Sequence, residues 1–430
     1  MSATSLPPYP SSYYAATTPL GPGHAALEQP RSADVCIVGG GIAGCSAGLA
    51  LAERGYRVVL LEAQRLGWGA SGRAGGHVIC GVAAEQDQLE SLVGGSDARA
   101  IWQLALAGIA ALKARIARHQ IDCEWVDGQM LTAIKPRQWR HLQQFQSRIA
   151  QRYGYTSSRL IERAQLRNLL STERYIGALY DSNGGHLNPL RYTLGLAAAA
   201  QRAGATLHEA SPVLGYSHVA GKLRVRTASA QVECTQLVFA GNAWLGATVP
   251  ALQRRLMSVG TFVIATEPLG EQRARALIAN NAAVSDTNWI LDYFRRSSDH
   301  RLLFGGRVNY SGVQVRAVAP TVAARMLRVF PQLTGTRIEY AWGCLLDITL
   351  NRAPDFGCLE PNVYYLQGFS GHGIALAGLA GELVAEAIAG TNERFDVFAR
   401  IPHREFPGGM LLRRPTLALA MLWYRLRDLM

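Results

Sequence analysis

Short runs of uninterrupted apolar residues alternate with glycine turns and helical patterns along the first hundred positions of the chain. Asp34-Val35-Cys36-Ile37-Val38 reads as a strand buried on both faces, because a half-exposed strand would alternate polar and apolar residues. A glycine turn over 39–44 follows, then a helical period over 43–54 closed by Gly55. Arg57-Val58-Val59-Leu60-Leu61 is a second buried strand that ends on Glu62. A second glycine-rich loop spans 66–77, and residues 97–119 carry a strong helical pattern. Farther on, the pattern predicts strands over 123–126 and 129–134, a polar helix over 136–152 and a helix over 190–203. Strands are predicted over 206–209, 223–227 and 237–239, and in a strand-rich stretch over 261–266, 289–293 and 301–304. Residues 341–390 run strand, loop, strand, loop, helix. Residues 1–32 read as an irregular arm, because Pro7, Pro8, Pro10, Pro19, Pro22 and Pro30 block regular structure.

The chain has 430 residues, 49% hydrophobic and 17% charged, which is long enough for one large or two interleaved domains. Its formal charge of +12 is carried almost entirely by scattered arginines, since Lys113, Lys135 and Lys222 are the only lysines. A nucleic-acid binder concentrates its basic residues in a stripe, so no nucleic-acid partner is expected. The seven cysteines form no CxxC pair and no cluster at metal-ligand spacing, so no metal is expected and the thiols read as reduced, as in a cytoplasmic protein. The amino-terminal stretch lacks the basic and apolar regions of a secretory signal, and no apolar run reaches the ~20 residues that span a bilayer.

Gly39, Gly41 and Gly44 follow a buried strand, open a helix and sit in a βαβ unit that closes on an acid, the context that makes a GxGxxG specific. Gly39 permits the tight turn, Gly41 lets the backbone approach a pyrophosphate, and Gly44 lets helix and strand pack closely. Glu62 is placed to accept hydrogen bonds from an adenosine ribose, and its charge disfavours a 2′-phosphate. A glycine loop over 67–76 and another, Gly368-Phe369-Ser370-Gly371-His372-Gly373, feeding an apolar helix over 374–389, suit a cofactor buried along its whole length. That favours FAD over an exchanging NAD, with the second helix N-terminus able to stabilise negative charge on a flavin.

These blocks resemble the D-amino-acid oxidase and sarcosine oxidase superfamily of FAD-dependent oxidoreductases, which oxidise C–N bonds. The resemblance runs through Val38-Gly39-Gly40-Gly41-Ile42-Ala43-Gly44, Gly69-Ala70-Ser71-Gly72-Arg73-Ala74-Gly75-Gly76, Leu237-Val238-Phe239-Ala240-Gly241-Asn242-Ala243, Trp342-Gly343, Asn351-Arg352-Ala353-Pro354-Asp355-Phe356-Gly357 and the final glycine loop. Ser12-Tyr13-Tyr14-Ala15-Ala16, Asp292-Tyr293-Phe294-Arg295, Leu302-Leu303-Phe304-Gly305-Gly306-Arg307 and Phe406-Pro407-Gly408-Gly409 are similar to its γ-glutamylputrescine oxidase branch.

The resemblance implies an α/β fold in which a Rossmann-type FAD-binding domain (34–120, 176–255 and 341–400) is interleaved with an α+β substrate domain (121–175 and 256–340) carrying a large mixed or antiparallel sheet. An arm (1–33) and a basic, apolar tail (401–430) flank them. It implies hydride transfer from the carbon beside a neutral amine to flavin N5, hydrolysis of the imine, and electron delivery to oxygen or a respiratory quinone. On matching positions it implies that FAD is held by Gly39, Gly41, Ile42, Ala43, Gly44 and Glu62. The second loop adds Ala70, Ser71, Arg73, Gly75, Gly76 and His77, and later segments add Val213, Gly241, Trp244, Gly343, Cys344, Gly371, His372, Gly373 and Ile374. His77 falls beside flavin N5, where it either helps keep the amine deprotonated, tunes the flavin, or is satisfied by backbone groups. Tyr293 lines the substrate mouth or is a packed strand aromatic, and His372 shapes its loop.

Two carboxylate anchors of the sarcosine oxidases are absent, their positions falling on Ala375 and Cys80. This favours an extended amine such as γ-glutamylputrescine, or a carboxylate held elsewhere, for example by Arg307 or Arg295. The alternatives are a secondary or cyclic amino acid such as L-pipecolate, and a flavoprotein subunit that works only in a complex. Cys344 falls where sarcosine oxidases attach FAD through sulfur, so covalent attachment is an open expectation. Residues 410–430 either dock on the FAD-binding domain or lie peripherally on an anionic membrane.

Overall fold

The computed structural model describes residues 6–309 and 315–407, with the side chains of 247, 307–309 and 315–318 left aside. A six-stranded sheet forms around Val35–Val38, which is buried at all four positions. It runs in the order Asp355–Glu360, Val363–Gln367, Gln236–Phe239, Val35–Val38, Val58–Leu61, Thr206–His208. All neighbours are parallel except the outer pair of Asp355–Glu360 and Val363–Gln367. Continuous apolar runs belong in such strands because helices or a second sheet cover both faces. Ile42–Ala52, buried along its full length, packs on one face with Pro189–Arg202 and Gly373–Ile388. A four-stranded sheet (Arg31–Ser32, Gln231–Cys234, Lys222–Arg226, Gly215–Val219) covers the other face, its Val225 and Val232 packing with Cys36, Val59 and Phe239.

Val38 pairs with both Leu61 and Phe239, so the chain leaves three neighbouring strands at one level, through Gly39, Glu62 and Ala240. Ligands bind at this carboxyl edge in open parallel sheets.

The second large layer is a nine-stranded sheet, in the order Ile338–Ile348, Met257–Thr266, Leu302–Asn309, Tyr293–Arg296, Ala283–Asp286, Val126–Ala133, Gly177–His186, His77–Val78, with Ser158–Glu162 also paired to Gly177–His186. Only the pair Ala283–Asp286 and Val126–Ala133 is parallel, so the sheet is mixed. The helix Val315–Val329 backs it, over a core that includes Phe294, Phe304 and Phe330. Gly177–His186 and Ile338–Ile348 belong to this sheet, although the sequence reading puts 176–255 and 341–400 with the nucleotide-binding segments.

Several local expectations shift. The expected strand over 289–293 starts instead at Tyr293, because the Asp286 carboxylate accepts from Asn288 N (3.0 Å) and makes a polar turn there. The two expected strands over 123–134 are one, Val126–Ala133, bulged at Gly128 (φ 102°). The helix expected over 97–119 runs from Gln86 to His119 with a break at Gly94 (φ 80°), where the Gly94-Gly95 pair interrupts the apolar period. Contrary to the sequence expectation about apolar runs, this helix has an 18-residue window of mean hydropathy 1.4, membrane-like by length and composition alone. Its buried positions Ala98, Ile101, Trp102, Ala105, Gly108, Ile109 and Leu112 recur at helical spacing, and a Cβ on Gly108 would lie 3.2 Å from that of Leu379 on Gly373–Ile388.

The arm is not irregular throughout. Ser12 caps a helix, Tyr13–Thr17, by accepting from Ala15 N (3.1 Å), and Tyr13 and Tyr14 are buried. Farther along, His24 N and Leu66 N donate to the buried carboxylate of Glu209 (2.8 and 2.7 Å), which also meets Arg65 at 3.1 Å. The arm is thereby fastened to the end of the six-stranded sheet.

Candidate active site

A cavity of about 1220 Å³ runs from the carboxyl edge of the six-stranded sheet to the inner face of the nine-stranded one. At the nucleotide end the glycines do distinct work. Gly39 has φ 117°, and a Cβ there would lie 2.7 Å from the Ala240 carbonyl. A Cβ on Gly44 would lie 1.9 Å from the Gly39 carbonyl oxygen, so helix and strand can approach only because that atom is missing. Gly41 caps Ile42–Ala52, and Ile42 N donates to Ser71 Oγ (3.0 Å), which ties the second glycine loop to the helix N-terminus. Glu62 accepts from Gly40 N (2.7 Å) and Gln64 N (2.8 Å). Burial raises its pKa, opposed by those backbone donors, and a carboxylate retains acceptor capacity for ribose hydroxyls. Val213, Gly241 and Trp244 complete this end, the Trp244 ring standing edge-on to Trp68 at 5.1 Å.

Deeper in, Ala70, Gly75, Gly76 and His77 line the cavity opposite Gly371, His372, Gly373 and Ile374. His77 Nε2 and His372 Nδ1 are buried and have no hydrogen-bond partner among the described residues. Burial, then the Arg295 charge, pushes His77 down to about 3. Burial, then Arg352, pushes His372 down to about 4. Both rings are therefore neutral near pH 7. Tyr293 meets the His77 ring edge-on at 5.4 Å, and its hydroxyl lies 3.1 Å from Thr261 Oγ1. A Cβ on Gly75 or Gly305 would lie 2.4 or 2.1 Å from the Tyr293 ring, so those two glycines seat it.

Four expected cofactor residues lie behind the cavity wall. Gly44 is the helix–strand contact just described. Arg73 donates to the Gly343 carbonyl (3.1 Å), stacks on Trp68 and leaves Nη2 buried without a partner among the described residues. Gly343 receives that bond, and a Cβ there would press on Phe262 at 2.9 Å. Cys344 is buried, and burial raises its thiol to about 11. The side chain of Arg307 lies outside the described residues, as do residues 410–430. Arg295 does not offer a carboxylate anchor, because its guanidinium is fully buried and donates to the carbonyls of Gly75, Leu187 and Arg296 and to Tyr14 Oη. Sequence reasoning missed Gln129, Ser285 and Arg352 on the wall. The polar residues sit on strands whose register is invisible in the sequence, whereas Arg352 has a signal there, standing inside the Asn351–Gly357 block.

The site accommodates FAD on structural grounds. Two helix N-termini and two glycine loops face one long cavity, and its buried imidazole nitrogens await a partner.

Comparison with known proteins agrees. A model of the family "FAD dependent oxidoreductase" (DAO) matches residues 34–387. The chain is 42% identical over 419 residues to a γ-glutamylputrescine oxidoreductase of Escherichia coli, covering 97% of this chain and 98% of that protein. It is 37% identical to a probable oxidoreductase, OrdL, of Haemophilus influenzae over 94% of this chain and 93% of that one. Glycine oxidase from Geobacillus kaustophilus superposes with a TM-score of 0.70 at 22% identity, over 84% of this chain and 95% of that structure.

Proposed function

Since the chain belongs to the FAD-dependent oxidoreductase family, we propose that it oxidises the terminal amine of γ-glutamylputrescine or a closely related acylated diamine. The observation that carries this reading is the sheet wall of the cavity. Among the described side chains it presents Gln129, Leu131, Thr261, Ser285 and Tyr293 with the carboxylates of Asp286 and Asp347, and no cation, so a small α-amino acid finds no carboxylate anchor there.

FAD, when bound, would supply the acceptor for the hydride that leaves the carbon beside the amine and a route for the electrons to oxygen or a respiratory quinone. The chain supplies position and field. Glu62 would hold the ribose, and the N-termini of Ile42–Ala52 and Gly373–Ile388 would stabilise the anionic parts of the cofactor. Tyr293, fixed by Thr261 and two glycines, orients the amine. His77, neutral and weakly basic in its buried site, serves as a hydrogen-bonding ring that favours the uncharged amine and stores no proton. The imine product takes up water to give an aldehyde and ammonia.

A second reading, oxidation of a cyclic amino acid such as L-pipecolate, is favoured by Arg352, a cation on the cavity wall with φ 63°. Anaerobic bleaching of the flavin by a panel of γ-glutamylputrescine, putrescine, L-pipecolate, sarcosine and D-alanine separates the two. Bleaching led by γ-glutamylputrescine is expected; bleaching by L-pipecolate alone would replace the first reading with the second.

A further inference from the structure

We propose that Gln129 and Ser285 form an amide-reading pair, which selects amines carrying a secondary amide a short methylene chain away from the reacting carbon. The inference rests on the reading that the chain oxidises an amine in this cavity.

Both residues line the cavity and are buried, at 5% and 4% exposure. Gln129 Nε2 donates to the Met130 carbonyl (3.3 Å) and to Ser285 Oγ (3.2 Å). A carbonyl can only accept, so the Met130 bond fixes which end of the Gln129 amide is nitrogen. Gln129 Oε1 then has no partner among the described residues. The Ser285 hydroxyl, already accepting from Gln129, keeps its own proton to donate. The wall therefore offers one acceptor and one donor side by side. A secondary amide is their complement, its N–H donating to Gln129 Oε1 and its C=O accepting from Ser285 Oγ. A carboxylate is not, because it would face Oε1 with like polarity.

The sheet register sets the distance. Ser285 stands opposite Tyr293 on the next strand, and Leu131, which shares a face with Gln129, stands opposite Ser285. The pair thus lies roughly 5 to 10 Å across the strands from Tyr293. An amine held at Tyr293 and His77 reaches it with its amide only if a few methylenes intervene. An alkylamine would bury both polar groups unpaired, the strongest source of discrimination a polar pocket has.

The test uses the purified holoenzyme under anaerobic conditions, with N-acetylputrescine and heptylamine, which replaces the amide by methylenes. The wild type is expected to be bleached faster by the amide, at equal concentrations below saturation. Ser285→Ala and Gln129→Leu should each reduce that preference about tenfold, and Ser285→Thr should retain most of it. The non-oxidisable N-butylacetamide should perturb the flavin spectrum of the wild type and bind about tenfold more weakly to each of the first two variants. Equal bleaching of the wild type by both amines would overturn the pair without recourse to any variant. So would a preference unchanged in flavin-loaded variants. Bleaching by L-pipecolate with neither amine active would instead overturn the underlying reading of function.

Discussion

At Gly44 the missing side chain is a geometric requirement, since no rotamer can move a Cβ that would sit 1.9 Å from a carbonyl oxygen. Gly44→Ala should therefore push the helix off the strand and cost flavin retention, read as a fall of the visible flavin absorbance per protein; full retention would contradict the account. This residue was legible in the sequence because its spacing from Gly39 and Gly41, after a strand and before a helix, has one physical meaning. Cys344 was legible only as an alignment position. Its thiol is buried, outside the cavity wall and held up to about 11, far from the thiolate needed for attack. Acid precipitation is accordingly expected to release the yellow colour to the supernatant, and colour in the pellet would show a covalent bond.

The elements differ in how much the sequence discloses. Parallel strands buried on both faces, and the helix Gly373–Ile388, stand out as apolar blocks. The nine-stranded sheet does not, because its order and register depend on partners far apart in sequence, such as Met257–Thr266 with Ile338–Ile348. That is why Gln129 and Ser285 escaped notice. The arm also misleads, its prolines hiding the short helix Tyr13–Thr17. Tyr14 there is fully buried, edge-on to Trp342 at 5.2 Å, and its hydroxyl receives a bond from Arg295 Nη2 (3.1 Å). Tyr14→Ala should destabilise the fold by about 3–5 kcal/mol through the lost aromatic packing. Tyr14→Phe should cost about 1–3 kcal/mol through the unsatisfied donor. Denaturant midpoints decide; an unchanged midpoint in Tyr14→Ala would mean the arm is loosely held.

For the molecule as a whole, the cavity lies where all these parts meet, so the cofactor belongs to the stability of the fold. At a free FAD concentration one hundred times its Kd, binding should add about 2.7 kcal/mol, seen as a higher Tm than in flavin-stripped protein. Acid should act in the opposite direction. The folded state keeps His77 and His372 neutral down to about 3 and about 4, whereas an unfolded chain protonates them near pH 6.5. Their contribution is complete above pH 6.5, and is lost as pH falls through that value toward 4 and 3, because the unfolded state then binds more protons. The double variant His77→Asn, His372→Asn should show a shallower loss of stability between pH 7 and 5 than the wild type; parallel slopes would assign the acid sensitivity to other groups.

The six-stranded sheet joins Val35–Val38 to Gln236–Phe239, and those to Val363–Gln367. A nascent chain therefore emerges from the ribosome with its first dinucleotide motif flanked on one side by Val58–Leu61, long before Gln236–Phe239 on its other side exists. The loop that closes the far end, Gly368–Gly373, arrives later still. On this architecture FAD is expected to load only after nearly the whole chain has been made, so a chain truncated before that loop should be colourless.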